Sequence, residues 1–155
     1  MVHPTIRLAV EAEAEEIARI INAAFEIERE FRRGERTSAK EIRELIAREE
    51  VVVAEEGGRV LGAIEVRIDG PIGYFGMLAV DAWARRGGIG RALVEAAEEH
   101  CRRAGCTEMT LSTGENRAEL IPYYRRMGYR VTATEPSTNP AFKRPIGVVH
   151  MAKPL

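Results

Sequence analysis

The sequence predicts an α/β protein built on one mixed sheet, and three features predict it. Short uncharged runs rich in β-branched and aromatic residues recur along the chain as strands. Stretches with one apolar helical face stand between them, and Gly-Gly and Gly-Pro turns join some strands directly while helices join others. Hairpins impose antiparallel neighbours and helical crossovers permit parallel ones. A mixed, mostly antiparallel sheet of about seven strands flanked by about four helices is therefore expected.

Alternation in TIRLAV, residues 5–10, predicts the first strand. In EAEAEEIARIINAAFEIE, residues 11–28, Ile17, Ile20, Ile21, Ala24 and Phe25 fall on one helical face. A polar stretch, REFRRGERTS, leads to a second helix that Ser38 or Thr37 can cap, since Glu41 stands three residues after Ser38 and Ile42, Leu45 and Ile46 supply its buried face. That helix ends near Glu49 and Glu50. Residues 51–69, VVVAEEGGRVLGAIEVRID, read as two strands joined at Glu56-Gly57-Gly58-Arg59. After the Asp69-Gly70-Pro71 turn comes YFGMLAV, residues 74–80, with the apolar character of a buried strand.

GRALVEAAEEHCRRAG, residues 90–105, is the next helix. Ile89, Leu93, Ala96 or Ala97, and His100 or Cys101 share a face, Gly105 suits a left-handed C-cap, and Arg102 and Arg103 suit the negative end of the dipole. CTEMTLST is then a strand, AELIPYYRRM a short helix, and YRVTAT and GVVHMAK two final strands.

At 155 residues the chain has room for one domain with a real core, expected to span residues 1–155. With 45% hydrophobic and 30% charged residues it has a globular composition, and a net charge of -1 offers no general attraction to nucleic acid or membrane. No segment reads as a secretory leader or membrane span, so a cytoplasmic protein is expected. Cys101 and Cys106 are expected on opposite sides of a helix end as small core residues. His3, His100 and His150 have no mutual ligand spacing, and no metal site is expected.

The most informative stretch is RRGGIGRAL, residues 85–93, where the uncharged strand passes into a helix. At a helix N-terminus the first N–H groups lack partners and the macrodipole adds positive charge, so anions bind there. Gly87, Gly88 and Gly90 let a phosphate approach the backbone, Ile89 lies between them, and Arg85, Arg86 and Arg91 supply countercharge. A P-loop would need Lys and Ser or Thr after the last glycine, where Arg91 and Ala92 stand. The dinucleotide fingerprint would need a small residue in place of Leu93. Without further context the loop is a helix start with solvated arginines.

Arg85, Gly88 and Gly90, preceded by Leu78-Ala79-Val80, resemble the Arg/Gln-x-x-Gly-x-Gly/Ala acetyl-CoA motif of the GCN5-related N-acetyltransferase (GNAT) superfamily. YYRRMGY, residues 123–129, resembles that family's later Tyr-x-x-x-Gly-Phe/Tyr signature, with Tyr124 and Gly128 in place. The two occur in the family's order, and the likeness covers nearly the whole chain. The resemblance implies a GNAT-like fold in which strand 74–80 and strand 107–113 splay apart around the cofactor. It implies that Leu78, Ala79 and Val80 offer backbone groups to pantetheine, where the plain reading is a core strand. It also implies that Tyr124 is the general acid that protonates the departing thiolate. Tyr123 is its competitor for that role, and is expected rather to pack in the core.

Two positions depart from the family pattern. A family Asn seven residues before the tyrosine is Arg117 here, so either Asn116 serves after a one-residue shift or Arg117 contacts the cofactor; Ala82 also replaces a frequent proline. No general base stands out. Glu65 alternates away from Ile64, Val66 and Ile68 and is the candidate, against the plainer reading of a solvated strand face, and Asp81 reads equally as a turn residue. Arg32, Arg33 and Arg36 among Glu28, Glu30 and Glu35 read as solvated surface. Convergent, they would favour a carboxylate-bearing amine such as an amino acid. EPSTNPAFKRP, with Phe142, could form a rim.

The leading expectation is an N-acetyltransferase using acetyl-CoA as cosubstrate and an amine as acceptor, with a second copy of the chain as a candidate partner. The competing readings are a non-catalytic acyl-CoA sensor or interaction module, and a nucleotide-binding protein of another type.

Overall fold

β-Strands β1 (Thr5–Leu8), β2 (Val51–Glu56), β3 (Arg59–Asp69), β4 (Ile72–Val80), β5 (Glu108–Gly114), β6 (Arg130–Pro136) and β7 (Gly147–Pro154) form one sheet in the order β1-β2-β3-β4-β5-β7-β6 in a computed structural model that describes residues 3–85 and 87–155. Only β4 and β5 are parallel, because the helix α3 (Ile89–Arg103) crosses over between them; the other five pairs are antiparallel. This is the expected mixed α/β architecture, with α1 (Ala14–Ala24), α2 (Ala39–Ala47) and α4 (Leu120–Arg125) as the remaining helices.

The pairing of β4 with β5 is short. It runs from Ile72 opposite Glu108 to Tyr74 opposite Thr110 and stops, while β4 goes on beside β3 to Val80 and β5 goes on beside β7 to Gly114. A β-bulge accompanies the parting. Ala63 faces Ala79 but Glu65 faces Gly76, so Met77 and Leu78 together oppose Ile64, and Met77 takes a left-handed φ of 47°. The extra residue turns the side chains over. Phe75 sits in the layer beneath α3 and α4, whereas Met77 and Ala79 sit beneath α1 and α2, although residues two apart on a regular strand share a face.

Two apolar layers hold the sheet. Ile17, Ile20 and Ile21 of α1 and Ile42 of α2 cover Val53 and Ala63 on one side, and Leu93, Ala97 and Cys101 of α3 cover Ile64, Phe75 and Met109 on the other. Ser38 Oγ accepts the Glu41 N–H at 3.1 Å and caps α2 as the sequence predicts. The first helix is shorter than expected: after Ala24 the chain tightens into a 3-10 turn, Glu26–Glu30, which buries Glu28 rather than continuing the apolar face. Pro122 does not break α4. It lies in the first turn, where its missing N–H would have had no partner. The two cysteines, expected on opposite sides of the α3 end, are both buried, Cys106 Sγ donating to the Gly70 carbonyl at 3.7 Å, and burial pushes the Cys101 thiol up to about 12. Among the described residues no helix is long and apolar enough to cross a membrane.

Leu93 is fully buried, and its Cδ1 is pressed against the backbone at Gly62. Replacement of Leu93 by Ala is expected to lower unfolding free energy by about 2–5 kcal/mol, read by urea denaturation, because the rigid sheet beneath it cannot collapse into the void.

Candidate active-site cleft

Where β4 and β5 part, the edge of β4 beyond Tyr74 and that of β5 beyond Thr110 have no strand partner on the facing side, and a cleft of about 540 Å³ opens between them. Leu78 and Val80 are half-buried in its wall, and Ala79, 3% exposed, pairs with Ala63. The gap is an edge that an extended amide chain can complete.

The glycine loop stands at one end of this gap. Gly88 takes a left-handed φ of 72° and N-caps α3, while Ile89, 1% exposed, plugs the helix start into the core. Ala92 donates to the Gly88 carbonyl, and the N–H groups of Gly88, Ile89, Gly90 and Arg91 make no backbone hydrogen bond to another described residue. Arg85 lines the cleft, with Nε 3.4 Å from the Val80 carbonyl oxygen. Gly87 is exposed beside it. Arg91 turns along the helix to Glu95 at 3.1 Å and lines the neighbouring groove instead. Arg86 lies outside the described residues. Asp81 accepts from Arg19 at 2.9 Å on the surface, in keeping with a turn residue.

Tyr124 stands in the same cleft, its ring edge-on to Phe75 at 5.6 Å, to Tyr123 at 5.0 Å and to Tyr129 at 6.2 Å. Its hydroxyl has no hydrogen-bond partner among the described residues. Since no fully buried side-chain oxygen is left unpartnered there, that hydroxyl must reach the cleft. Burial pushes its pKa well above the ordinary value of 10.0, so the phenol keeps its proton. Tyr129 fixes this cluster from behind: its Oη donates to Glu98 Oε2 at 2.7 Å, and Lys153 Nζ donates to the same carboxylate at 3.0 Å. Tyr123 packs against the core as expected, but it is not enclosed there. It is half-buried and lines the cleft beside the loop, so close that a Cβ on Gly90 would stand 2.8 Å from its Oη.

Glu65 also differs from the plainer expectation of a solvated face. It is 9% exposed, with Arg67 Nε at 3.3 Å, and burial raises its pKa, Arg67 and Arg36 opposing the rise. It stands behind Gly76, which lines the cleft: a Cβ there would meet Tyr74 Oη at 2.8 Å and Glu65 Oε1 at 3.2 Å.

Opposite β4, three distant segments close the cleft. Glu28, 7% exposed, receives Arg32 Nε and Nη2 on Oε1 at 3.2 and 3.0 Å and Arg117 Nη1 on Oε2 at 2.8 Å, while Arg117 Nε donates to Glu119 at 2.6 Å. Arg117 is thus turned to Glu28 within the cleft wall, and Asn116 is exposed outside it. Residues 31–33 lie beside 141–143: Arg32 pairs with Phe142, Lys143 N–H donates to the Phe31 carbonyl at 2.6 Å, and the Phe31 and Phe142 rings meet edge-on at 5.5 Å. The stretch holding Phe142 is therefore a stitched rim. Arg33 donates to the carbonyls of Pro140 and Phe142 and leaves the cleft, whereas Arg36 lies over the Phe25 ring in its wall.

Sequence reading missed Glu28 as a site residue; its spacing to Arg32 was legible, its 89-residue separation from Arg117 was not. It also missed a chain on β5, β7 and β6, in which Ser112 Oγ lies 2.7 Å from His150 Nδ1 and His150 Nε2 lies 2.6 Å from Glu135 Oε1, with Ser112 in the cleft wall. Among the described residues no group of three His, Cys, Asp or Glu could hold a metal ion.

A family model described as "Acetyltransferase (GNAT) family" matches residues 14–129. A protein named IAA acetyltransferase from Azospirillum brasilense is 38% identical over 80 residues, which cover 50% of this chain and 52% of that relative; the matched segment thus spans about half the relative's length. Among solved structures, Ard1 from Thermoplasma volcanium aligns with a TM-score of 0.82 at 23% identity, covering 99% of each chain. The yncA protein of Salmonella typhimurium, solved with its cofactor acetyl-CoA, aligns with a TM-score of 0.79 at 23% identity, covering 99% of this chain and 95% of that one. At such identities the structural likeness establishes the fold.

The burial of Glu65 sets a pH-dependent test. A carboxyl whose folded pKa is raised destabilises the fold once pH exceeds that pKa and is neutral below its ordinary value of 4.5. Glu65→Gln is expected to make the protein more resistant to urea at pH 7, with the gain shrinking to nothing as pH falls below about 4.5.

Proposed function

The chain belongs to the GNAT acetyltransferase family, and from that premise we propose that it transfers acetyl from acetyl-CoA directly to a primary amine in a ternary complex, as one acetyltransferase domain. One observation carries the reading: a single cleft joins the unpartnered N–H groups of the α3 start, the unpaired edge of β4, and a protonated tyrosine with no other partner.

In this reading the N–H groups of Gly88, Ile89 and Gly90, with Arg85, receive the pyrophosphate of CoA. The β4 edge at Leu78, Ala79 and Val80 hydrogen-bonds the pantetheine amides as a missing strand would. Arg91 contributes through the positive field of the loop rather than by contact, since Glu95 already holds it. Asn116, exposed, is left as a solvent-side neighbour of the cofactor, and Arg117 acts on the acceptor side.

The amine nitrogen bonds to the acetyl carbonyl carbon, the carbon–sulfur bond breaks, and Tyr124 Oη gives its proton to the leaving sulfur. The nitrogen loses its own proton through water to Glu65, whose raised pKa suits a base, or along Ser112 and His150 to Glu135. No acyl-enzyme is needed, because the two substrates meet within one cavity. The buried free thiols of Cys101 and Cys106 accord with a reducing, cytoplasmic setting.

Replacing Tyr124 by Phe is expected to leave acetyl-CoA affinity within about twofold by calorimetry and to lower kcat by about 10²–10⁴ in a thiol-release assay over an amine panel. Undiminished turnover would remove Tyr124 from the acid role. Tight acetyl-CoA binding without turnover of any amine by the unmodified protein would instead favour an acyl-CoA sensor.

A further inference from the structure

We propose that the acceptor is an amine that carries a carboxylate, an α-amino acid in the simplest case, and that Arg36 is the residue that selects it. The inference rests on the acetyltransfer reading above and adds the chemistry of the acceptor. It comes from the charge inventory of the cleft beyond the glycine loop, where three guanidinium groups, of Arg32, Arg36 and Arg117, face a single carboxylate, that of Glu28.

Glu28 is committed to its own wall. Its two oxygens already accept three guanidinium N–H bonds, two from Arg32 and one from Arg117, so it braces those arginines within the wall. Among the described residues the only further acidic partner of Arg117 is Glu119, which is 58% exposed and neutralises it from the solvent side. Arg36 differs from both. Its side chain makes no hydrogen bond or ion pair among the described residues, and it is half-buried against the Phe25 ring, so its fork of donors is unspent within an apolar wall. A half-buried guanidinium whose N–H donors have no side-chain partner among the described residues is open to a ligand carboxylate, and a planar carboxylate matches its geometry in a bidentate pair. Glu65 is the acidic group near enough to feel Arg36, and its own ion pair is with Arg67.

The same surplus of positive charge bears on the amine end. A cation beside the ammonium form disfavours it, so an acceptor held here loses its proton more readily and arrives closer to the nucleophilic free amine. Polycationic acceptors meet repulsion instead. Phe25, Phe31, Phe142 and Met77 complete the wall and suit an apolar side chain.

The test compares L-phenylalanine, L-methionine and L-glutamate with their α-amides in the thiol-release assay on the full chain, for the unmodified protein, Arg36→Gln and Arg36→Lys. The acid is expected to exceed its amide in kcat/KM by about ten- to a hundredfold for at least one pair, mainly through KM. Arg36→Gln should collapse that ratio to within about threefold, and Arg36→Lys should restore part of it, a change in ratio that general loss of structure would not produce. Calorimetry with N-acetyl-L-phenylalanine and N-acetyl-L-phenylalaninamide provides an arm independent of turnover. If no amine turns over yet the acetylated acid binds better than its amide in an Arg36-dependent way, the acetyltransfer reading fails and the carboxylate pocket stands. Acids no better than their amides, a ratio unchanged in Arg36→Gln, or no binding and no turnover of any acid would overturn the proposal.

Discussion

The parting of β4 from β5 is the constraint on which the rest of this structure depends. A sheet that stayed paired would consume every backbone donor and acceptor along both strands and leave no cleft. The bulge at Met77 and Leu78 bends β4 and reverses its side chains, so one strand supplies Phe75 to the layer under α3 and Met77 to the layer under α1. The left-handed backbone at Met77 is the local strain that this arrangement sustains, held by a side chain only 5% exposed. β3 and β7 flank the opening and hold β4 and β5 on their outer edges, which keeps it from collapsing.

Two rigid features then aim at that opening from opposite sides of the strand gap. Ile89 and Leu93 anchor the start of α3 in the core, so the exposed N–H groups of its first turn cannot drift away from the end of β4. Tyr124 is fixed by aromatic contacts with Phe75 and Tyr129, and Tyr129 is tied through Glu98 to α3 and Lys153. A short helix of six residues would fray alone; its packing against this cluster gives the phenol a defined position. The first turn of α3 and the phenol of Tyr124 are therefore coupled through α3 itself.

The far wall obeys a different logic. It is made by a 3-10 turn after α1, a turn after β5 and the connection between β6 and β7, which share no sheet pairing beyond the single bridge of Arg32 and Phe142. Charge holds it together: a buried carboxylate at Glu28 gathers guanidinium groups from two segments, while carbonyls of residues 29–31 and 140–142 are bonded across the seam. Removing Glu28 would leave two arginines facing each other in a desolvated wall, so its burial binds the pocket as well as shaping it.

Local patterns were sufficient for most of the fold. Helical periodicity at Ile17, Ile20 and Ile21, the Ser38 cap, the Gly57-Gly58 turn and the glycines of residues 87–90 each depend on interactions within a few residues, and each stands where the sequence indicates. Those glycines and the tyrosine signature likewise picked out two of the segments that line the cleft. The early end of α1 was not, because Glu28 leaves the helical course for an arginine 89 residues away. Nor was the burial of Glu65, since alternation tells which face a residue takes but not what covers that face. The sequence by itself determined the strands, the helices and a glycine-rich helix start, whose causes are local. Only the tertiary structure decided which arginines converge and which turn away, because that depends on contacts between segments far apart in the chain.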